Sequence, residues 1–327
     1  MTEREQLLAY KLSRMIQCET ISEKGKPNAE KFEAFQKVLA ELFPNVFSKA
    51  EVIHIDSSLL IKWKGQGKAE PMLLMSHQDV VPAEGEWKYP PFSGKIAEGR
   101  VWGRGTVDTK GPLMCILQSM EELIAENYIP QGDFYIASSS TEEVAGDGAP
   151  KTVEYLKKHG VHLQFLMDEG GMIVDEPMPG IKARCGMIGT VEKGTGNIRI
   201  VAHSNGGHAS APSKNSPIAR LSAFVEDIEK HNPNKAELSP TLLEMFSRLG
   251  PYAKGVLGFA MRNAKVLTPL LKAVLPAVSD KGAAMIRTTM AFTMSGGSAA
   301  PNVLPETAWI NINTRFIQHQ GVEKTAE

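Results

Sequence analysis

Residues 73–111 decide how this chain is read: L-L-M-S-H-Q-D-V-V-P over 73–82, the loop W-K-Y-P-P-F-S-G over 87–94, and V-W-G-R-G-T-V-D-T-K-G over 101–111. The apolar run Met72 to Met75 predicts a buried strand ending on Ser76, with His77 and Asp79 on its strand-to-loop edge. Asp108 follows a second short apolar-and-glycine segment and precedes a long helical pattern. In open α/β sheets ligands bind outside the carboxyl ends of strands, and both segments deliver polar residues there. A histidine and carboxylates gathered at such an edge are the raw material of a metal site.

Working outward, Leu7, Leu8, Leu12, Met15 and Ile16 share one helical face, and Phe32, Phe35, Val38, Leu39 and Leu42 share another. A strand pair is expected at Glu51–Ile55 and Leu59–Trp63, turning on Asp56-Ser57-Ser58. Pro112 to Asn127 reads as a helix with Pro112 in its first turn, Phe134–Ser138 as a strand running into S-S-S-T-E-E, and Pro150–His159 as a helix stopped by Gly160. Leu163–Met167 is another apolar strand, ending on Asp168-Glu169-Gly170-Gly171. Helices alternating with short, continuously apolar strands predict an α/β fold, a helix-flanked and mainly parallel sheet.

After Gly186 the texture changes. Asn197–His203, Thr289–Met294 and Ala308–Thr314 alternate apolar and polar residues, the loop S-N-G-G-H-A-S-A-P follows the first of them, and Ile218–Ile228 is an amphipathic helix. This predicts a separate α+β unit with half its sheet wet. Thr241 to Ile286 is helical and rich in Leu, Val and Met with scattered Lys and Arg; packing within or over the second domain is expected, with contact to membrane or a greasy substrate as the alternative.

Composition sets outer bounds. The 327 residues suffice for two domains, and 36 Lys and Arg against 37 Asp and Glu call for neither nucleic acid nor an anionic membrane. The charged start M-T-E-R-E-Q shows no signal peptide, and the Val266–Val278 run is too broken to span a bilayer. Cys18, Cys115 and Cys185 form no C-x-x-C pair, so the expected setting is the reducing cytoplasm.

Four strand ends therefore carry polar clusters: His77 with Asp79, Asp108, Glu142 with Glu143, and Asp168. Each alone has a plain explanation. An H-x-D can be a structural pair, Asp108 a helix cap, paired glutamates a solvated surface, and Asp168 before two glycines a turn. Surface charge has no reason to follow four apolar strands in one α/β half. The conjunction points to a divalent cation held by one histidine and several carboxylates.

H-x-D, G-R-G-T-V-D-T-K-G, T-E-E and M-D-E-G-G, in this order and spacing, resemble the aminoacylase/carboxypeptidase family of dinuclear zinc peptidases. The W-K-Y-P-P-F-S-G loop, the D-E-G-G ending and the helical insert look most like its carboxypeptidase S and N-acyl-amino-acid hydrolase branch, over about residues 5–317. The resemblance implies two zinc ions: His77 and Asp168 on one, Asp108 bridging, Glu143 on the other. Asp79 would orient His77, and Glu142 would be the general base for water attacking an amide beside a free carboxylate. It also implies a catalytic domain over 1–187, a lid and dimerisation domain with the helical insert over 188–317, and the start of a return to the catalytic domain over 318–327. In the lid, His208 of G-G-H-A-S-A-P would reach a partner subunit's site to stabilise the oxyanion, with Asn302 and Arg315 holding substrate, Arg315 by its carboxylate-matching fork; on the residues alone, a plain edge-strand arginine stands equally well at 315. The expected partners are a small peptide or N-acyl amino acid and a second copy of the chain, with no nucleic acid and no membrane.

The sequence departs from that pattern after the last lid strand. The family's late histidine has no counterpart before Glu327, and His203, His231 and His319 all fall in or at the exit of the lid. A truncated chain with an under-liganded second zinc site is the expectation, and a catalytically silent homologue that binds metal or dimerises is the rival. A serine hydrolase on Ser138–Ser140 lacks a G-x-S-x-G elbow, and a phosphate loop at G-R-G-T-V-D lacks the G-x-G-x-x-G spacing.

Overall fold

The computed structural model describes residues 2–26 and 28–327. Its first helix, α1 (Glu3–Ile16), opens on a reciprocal cap. The Glu5 amide donates to Thr2 Oγ1 at 3.2 Å, and the Thr2 amide donates to the Glu5 carboxylate at 2.7 Å. Two helices follow, α2 (Ala29–Leu42) and α3 (Pro44–Lys49), and then the strands β1 (Glu51–Ile55), β2 (Ser58–Trp63) and β3 (Met72–Met75). The small hairpin β4 (Lys95–Ala97) and β5 (Arg100–Trp102) leads to α4 (Lys110–Ala125), β6 (Phe134–Ser138), α5 (Gly148–Lys158) and β7 (Phe165–Met167).

These strands form one sheet in the order β1-β2-β6-β3-β7. Strands β6, β3 and β7 run parallel, and the β1–β2 hairpin is added antiparallel through β6. Leu59 and Ile61 of β2 face a cluster with Met15, Phe35, Leu39, Leu113 and Leu117, whereas Leu60 faces the other side with Leu73, Tyr135 and Leu156. A strand stretch buried on both faces must be apolar at successive positions, which is why Leu59, Leu60 and Ile61 show no alternation. Helix α5 ends where the sequence placed its stop, Gly160 adopting φ +65°. Helix α4 starts at Lys110, two residues ahead of Pro112, which still lies in the first turn. A Cβ on Gly111 would lie 2.2 Å from the Thr106 carbonyl oxygen, so the backbone after Gly105 folds back too closely for any side chain there.

Compact contacts divide the chain at Glu169/Gly170. This differs from the expected boundary at 187/188, because Met178, Ile181, Ala183 and Cys185 join a core with residues of the later helices. The second unit contains β8 (Met172–Val174), β9 (Cys185–Met187), β10 (Gly194–His203), β11 (Gly207–His208), α6 (Pro217–Lys230), α7 (Pro240–Leu249), α8 (Gly255–Arg262), α9 (Thr268–Val278) and α10 (Asp280–Ile286). Strands β12 (Thr289–Gly296), β13 (Val303–Leu304) and β14 (Thr307–Phe316), then α11 (Gly321–Ala326), complete it. An antiparallel sheet runs β10-β14-β12. Ala308 and Ile310 of β14 are buried with Leu221 and Phe224 of α6, while the intervening Asn311 and Asn313 both donate to Asn197 Oδ1 at 3.2 Å on the wetter face. Residues 318–327, expected to begin a return to the first domain, instead place α11 against β10 and β14.

Candidate metal centre

The parallel strands deliver their carboxyl ends to one edge of the first unit. Beyond β3 the chain stays extended, the Ser76 and Gln78 amides donating to the carbonyls of Ala137 and Ser139 at 3.1 and 2.8 Å. The side chain at 77 is thereby held inside. His77 is buried, and its Nδ1 donates to the Asp79 carbonyl at 2.9 Å with Asp79 Oδ1 at 3.3 Å. A proton fixed on Nδ1 leaves Nε2 as the metal-facing nitrogen.

Carboxylates crowd Nε2: Asp108 Oδ1 at 3.0 Å, Glu169 Oε2 at 3.1 Å and Glu142 Oε2 at 3.8 Å. Two groups have ligand atoms all within 4.8 Å of one another, His77 with Asp108 and Glu143, and His77 with Glu142 and Glu169. Burial raises the proton affinity of Glu142 and Glu143, and their anionic neighbours add to the rise, partly offset by His77. Glu169 is pushed up to about 7, first by burial and then by Glu142, Asp108 and Asp168, against the lowering effect of His77. Burial alone would lower the His77 imidazole, but its bond to Asp79 and the charges of Asp79 and Glu169 prevail and lift it to about 10. One imidazole facing this many carboxylates has the donor set of a divalent-cation site, with oxygens and a nitrogen in place and their mutual repulsion only partly offset by the ring.

The surrounding residues hold the ring in register. Asp79 is fully buried, and its two oxygens accept the amides of Glu142 and Glu143 at 3.2 and 3.1 Å. One carboxylate thus ties the histidine to the turn bearing both glutamates. Thr109 Oγ1 donates to the His77 carbonyl at 2.9 Å, and Ser76 Oγ donates to the Thr109 carbonyl at 2.9 Å, locking the Asp108 loop onto the end of β3. Lys110 is buried beneath them; its Nζ donates to the carbonyls of Cys18 and Met15 at 2.6 and 3.2 Å, and burial pushes its proton affinity down to about 7. No sequence signal singled out Lys110, because a lysine at a helix start reads as surface.

Asp168 differs from its expected placement. It lines a cavity of about 230 Å³ with His77 and Glu142, but it belongs to neither ligand group, and its Oδ1 accepts the Glu169 amide at 2.9 Å. Both carboxylates stand by the imidazole: Asp168 shares its cavity, and Glu169 Oε2 lies 3.1 Å from Nε2. The sequence held this signal in the pair D-E. In the second unit His208 and Asn302 are neighbours: β11 pairs with β13, and the Ala209 amide donates to the Asn302 carbonyl at 3.0 Å. The His208 ring is exposed, with Nδ1 2.8 Å from Ser210 Oγ. Arg315 is exposed near the far end of β14, opposite Thr195 and Thr289, and is not beside them.

Residues 73–324 match peptidase family M20/M25/M40. The chain belongs to this family. It is 33% identical over 332 residues to the N-fatty-acyl-amino acid synthase/hydrolase PM20D1 of Homo sapiens, covering 99% of this chain and 66% of that protein. A probable carboxypeptidase S-like 2 of Dictyostelium discoideum is 33% identical over 325 residues, covering 95% of this chain and 61% of that protein. The chain thus spans just under two thirds of the length of these relatives. Among solved structures, an M20 family metallo-carboxypeptidase from Sulfolobus solfataricus shares the fold, with a TM-score of 0.65 at 19% identity over 100% of this chain and 74% of the other. The carboxypeptidase S-like branch indicated by the sequence motifs is therefore represented among the relatives of this M20 chain, and its metallopeptidase kin agree with the metal-suited cluster around His77.

Proposed function

We propose that this M20 chain carries the chemistry of zinc-dependent hydrolysis of a peptide or N-acyl-amino-acid amide beside a free carboxylate. The observation that carries this reading is the shared imidazole of His77, ringed by Asp108, Glu142, Glu143 and Glu169. His77 and Asp168 would hold one ion and Glu143 a second, with Asp108 shared between them and Glu169 a further carboxylate beside the imidazole. A bound divalent metal acidifies a water molecule and polarises an amide carbonyl. Glu142, its proton affinity raised by burial, suits a general base that takes the proton from water and delivers it to the leaving nitrogen. Asp79 positions both His77 and Glu142 without touching substrate. An N-fatty-acyl amino acid is the substrate class to try first, after the name of the human relative.

We read the second unit as the lid and dimerisation domain. Support comes from the adjacency of exposed His208 to Asn302, which suits an oxyanion donor offered to a partner subunit's site. Arg315, with its fork free, would be the clamp for the substrate carboxylate. Three unpaired thiols at Cys18, Cys115 and Cys185 support a cytoplasmic setting.

The reading is tested by amide turnover on N-acyl amino acids. Turnover is expected to vanish with a chelator, to return with zinc, and to fall by about 10²–10⁴ in Glu142→Ala. Metal binding without turnover would leave a silent homologue in its place. A pH series gives a second prediction. The ion must displace the His77 proton, so apparent zinc affinity is expected to rise roughly tenfold per pH unit between neutrality and about 10. Calorimetry in buffers of different ionisation enthalpy measures the released proton; an affinity flat with pH would remove His77 from the ligand set.

A further inference from the structure

Helix α9 packs against the neighbouring core without fully burying any residue and leaves much of its apolar surface bare. Leu271 and Leu275 pack against the core of Ile181, Leu242 and Phe246. Beside them, Leu270, Val274 and Val278 recur every fourth residue of the helix and are 57%, 40% and 70% exposed, and Val266, in the turn before it, is 81% exposed. That spacing sets side chains in one row along a helix. Helix α8 adds exposed Val256 and Phe259 next to buried Gly258 and Met261. The helical stretch was expected to pack within or over its domain, and only its inner face does so. A helix apolar all round belongs in a core or against hydrocarbon, not in water.

The charges around this row are one-sided. Between Gly250 and Arg287 lie Lys254, Arg262, Lys265, Lys272, Lys281 and Arg287, against the single anion Asp280, in a chain that is otherwise nearly balanced. Among the described residues, Lys254, Lys265, Lys272 and Lys281 make no salt bridge. Lys254, Lys265 and Lys281 are exposed and Lys272 is half-buried. Among the described residues no helix is long and apolar enough to cross a membrane, so contact with lipid here would lie in the plane of its surface. Exposed apolar residues interleaved along the sequence with unpaired ammonium groups complement hydrocarbon lying beneath anionic headgroups, long lysine stems being able to reach from one layer to the other. A protein partner would need acidic groups matched to each lysine, whereas an anionic lipid surface supplies them everywhere.

We propose that α8 and α9 form an interfacial docking face that lays the second unit on an anionic phospholipid surface. This face is independent of the metal site and of the hydrolase reading. The test is flotation of the full chain with vesicles of phosphatidylcholine, alone or mixed with phosphatidylglycerol. Binding is expected to the mixed vesicles, weakening as salt is added. The triple variant K254Q/K265Q/K272Q is expected to weaken partitioning roughly a hundredfold. The double variant L270S/V274S is expected to weaken it at least about tenfold. Thermal melts overlaying the parent's confirm that both variants fold. Binding of the unaltered chain that ignores salt and headgroup charge overturns the proposal without recourse to a variant, as does absence of binding to the mixed vesicles. Variants that bind like the parent also overturn it. So does an oligomer in lipid-free buffer that L270S/V274S converts to monomers, since the face would then belong to a second copy of the chain.

Discussion

His77→Ala is expected to lower divalent-metal affinity by more than about a hundredfold, since changes to groups that merely support a ligand already cost about 10–100-fold. The imidazole is the member common to both ligand groups, and among the described residues it is the cation paired with Asp108, Glu142 and Glu169. Losing it removes a nitrogen donor and also the positive charge that restrains the proton affinity of Glu142, Glu143 and Glu169. In the variant these carboxyls are expected to hold their protons to higher pH, so metal has to displace more of them. Titration calorimetry with zinc, on parent and variant at one pH, measures the change. An unaltered dissociation constant would mean that the ion sits elsewhere.

Asp79→Ala is expected to destabilise the fold by about 3–5 kcal/mol, the usual cost of removing one member of a buried charged network. Its carboxylate is fully buried and serves three donors: His77 and the amides of Glu142 and Glu143. Asp79→Asn keeps the volume but turns an NH₂ toward a backbone N–H, so one amide is left without an acceptor. Its cost should be smaller, about 1–3 kcal/mol. A merely structural role would end there. A positioning role also predicts that His77 titrates below its value of about 10 in Asp79→Asn, because the bond and charge that raise it are weakened. Chemical denaturation gives the first quantity and imidazole NMR the second; a stable variant with an unmoved histidine would contradict both.

What could be read before the coordinates follows from how each signal arises. Strands such as Phe134–Ser138 were legible because burial on two faces leaves a run of apolar residues bounded by polar ones. His77, Asp108, Glu142 and Glu143 were legible because each follows such a run, and the fold brings them to one edge as that placement implies. That Glu169 also reaches the imidazole was not, since it depends on how the chain turns after a three-residue edge strand. Nor was the second task of Asp79. The amides of Glu142 and Glu143 carry no trace in the sequence of the carboxylate that accepts them. The domain boundary was also missed by periodicity, because residues 170–187 owe their place to partners such as Leu238 and Ile286, far along the chain.

Strand β7 borders its sheet with one long side open, and Phe165, Leu166 and Met167 are each about half exposed. Beside it an apolar cleft of about 550 Å³, lined by Met72, Leu74, Met120 and Met167, continues the same greasy margin. A border only three residues long is a poor template for a further strand, brevity being one of the ways a sheet edge is kept from sticking. The same brevity sets Asp168 and Glu169 directly behind it, and Glu169 Oε2 comes within 3.1 Å of the imidazole. A short edge thus keeps greasy side chains and reactive carboxylates a residue or two apart.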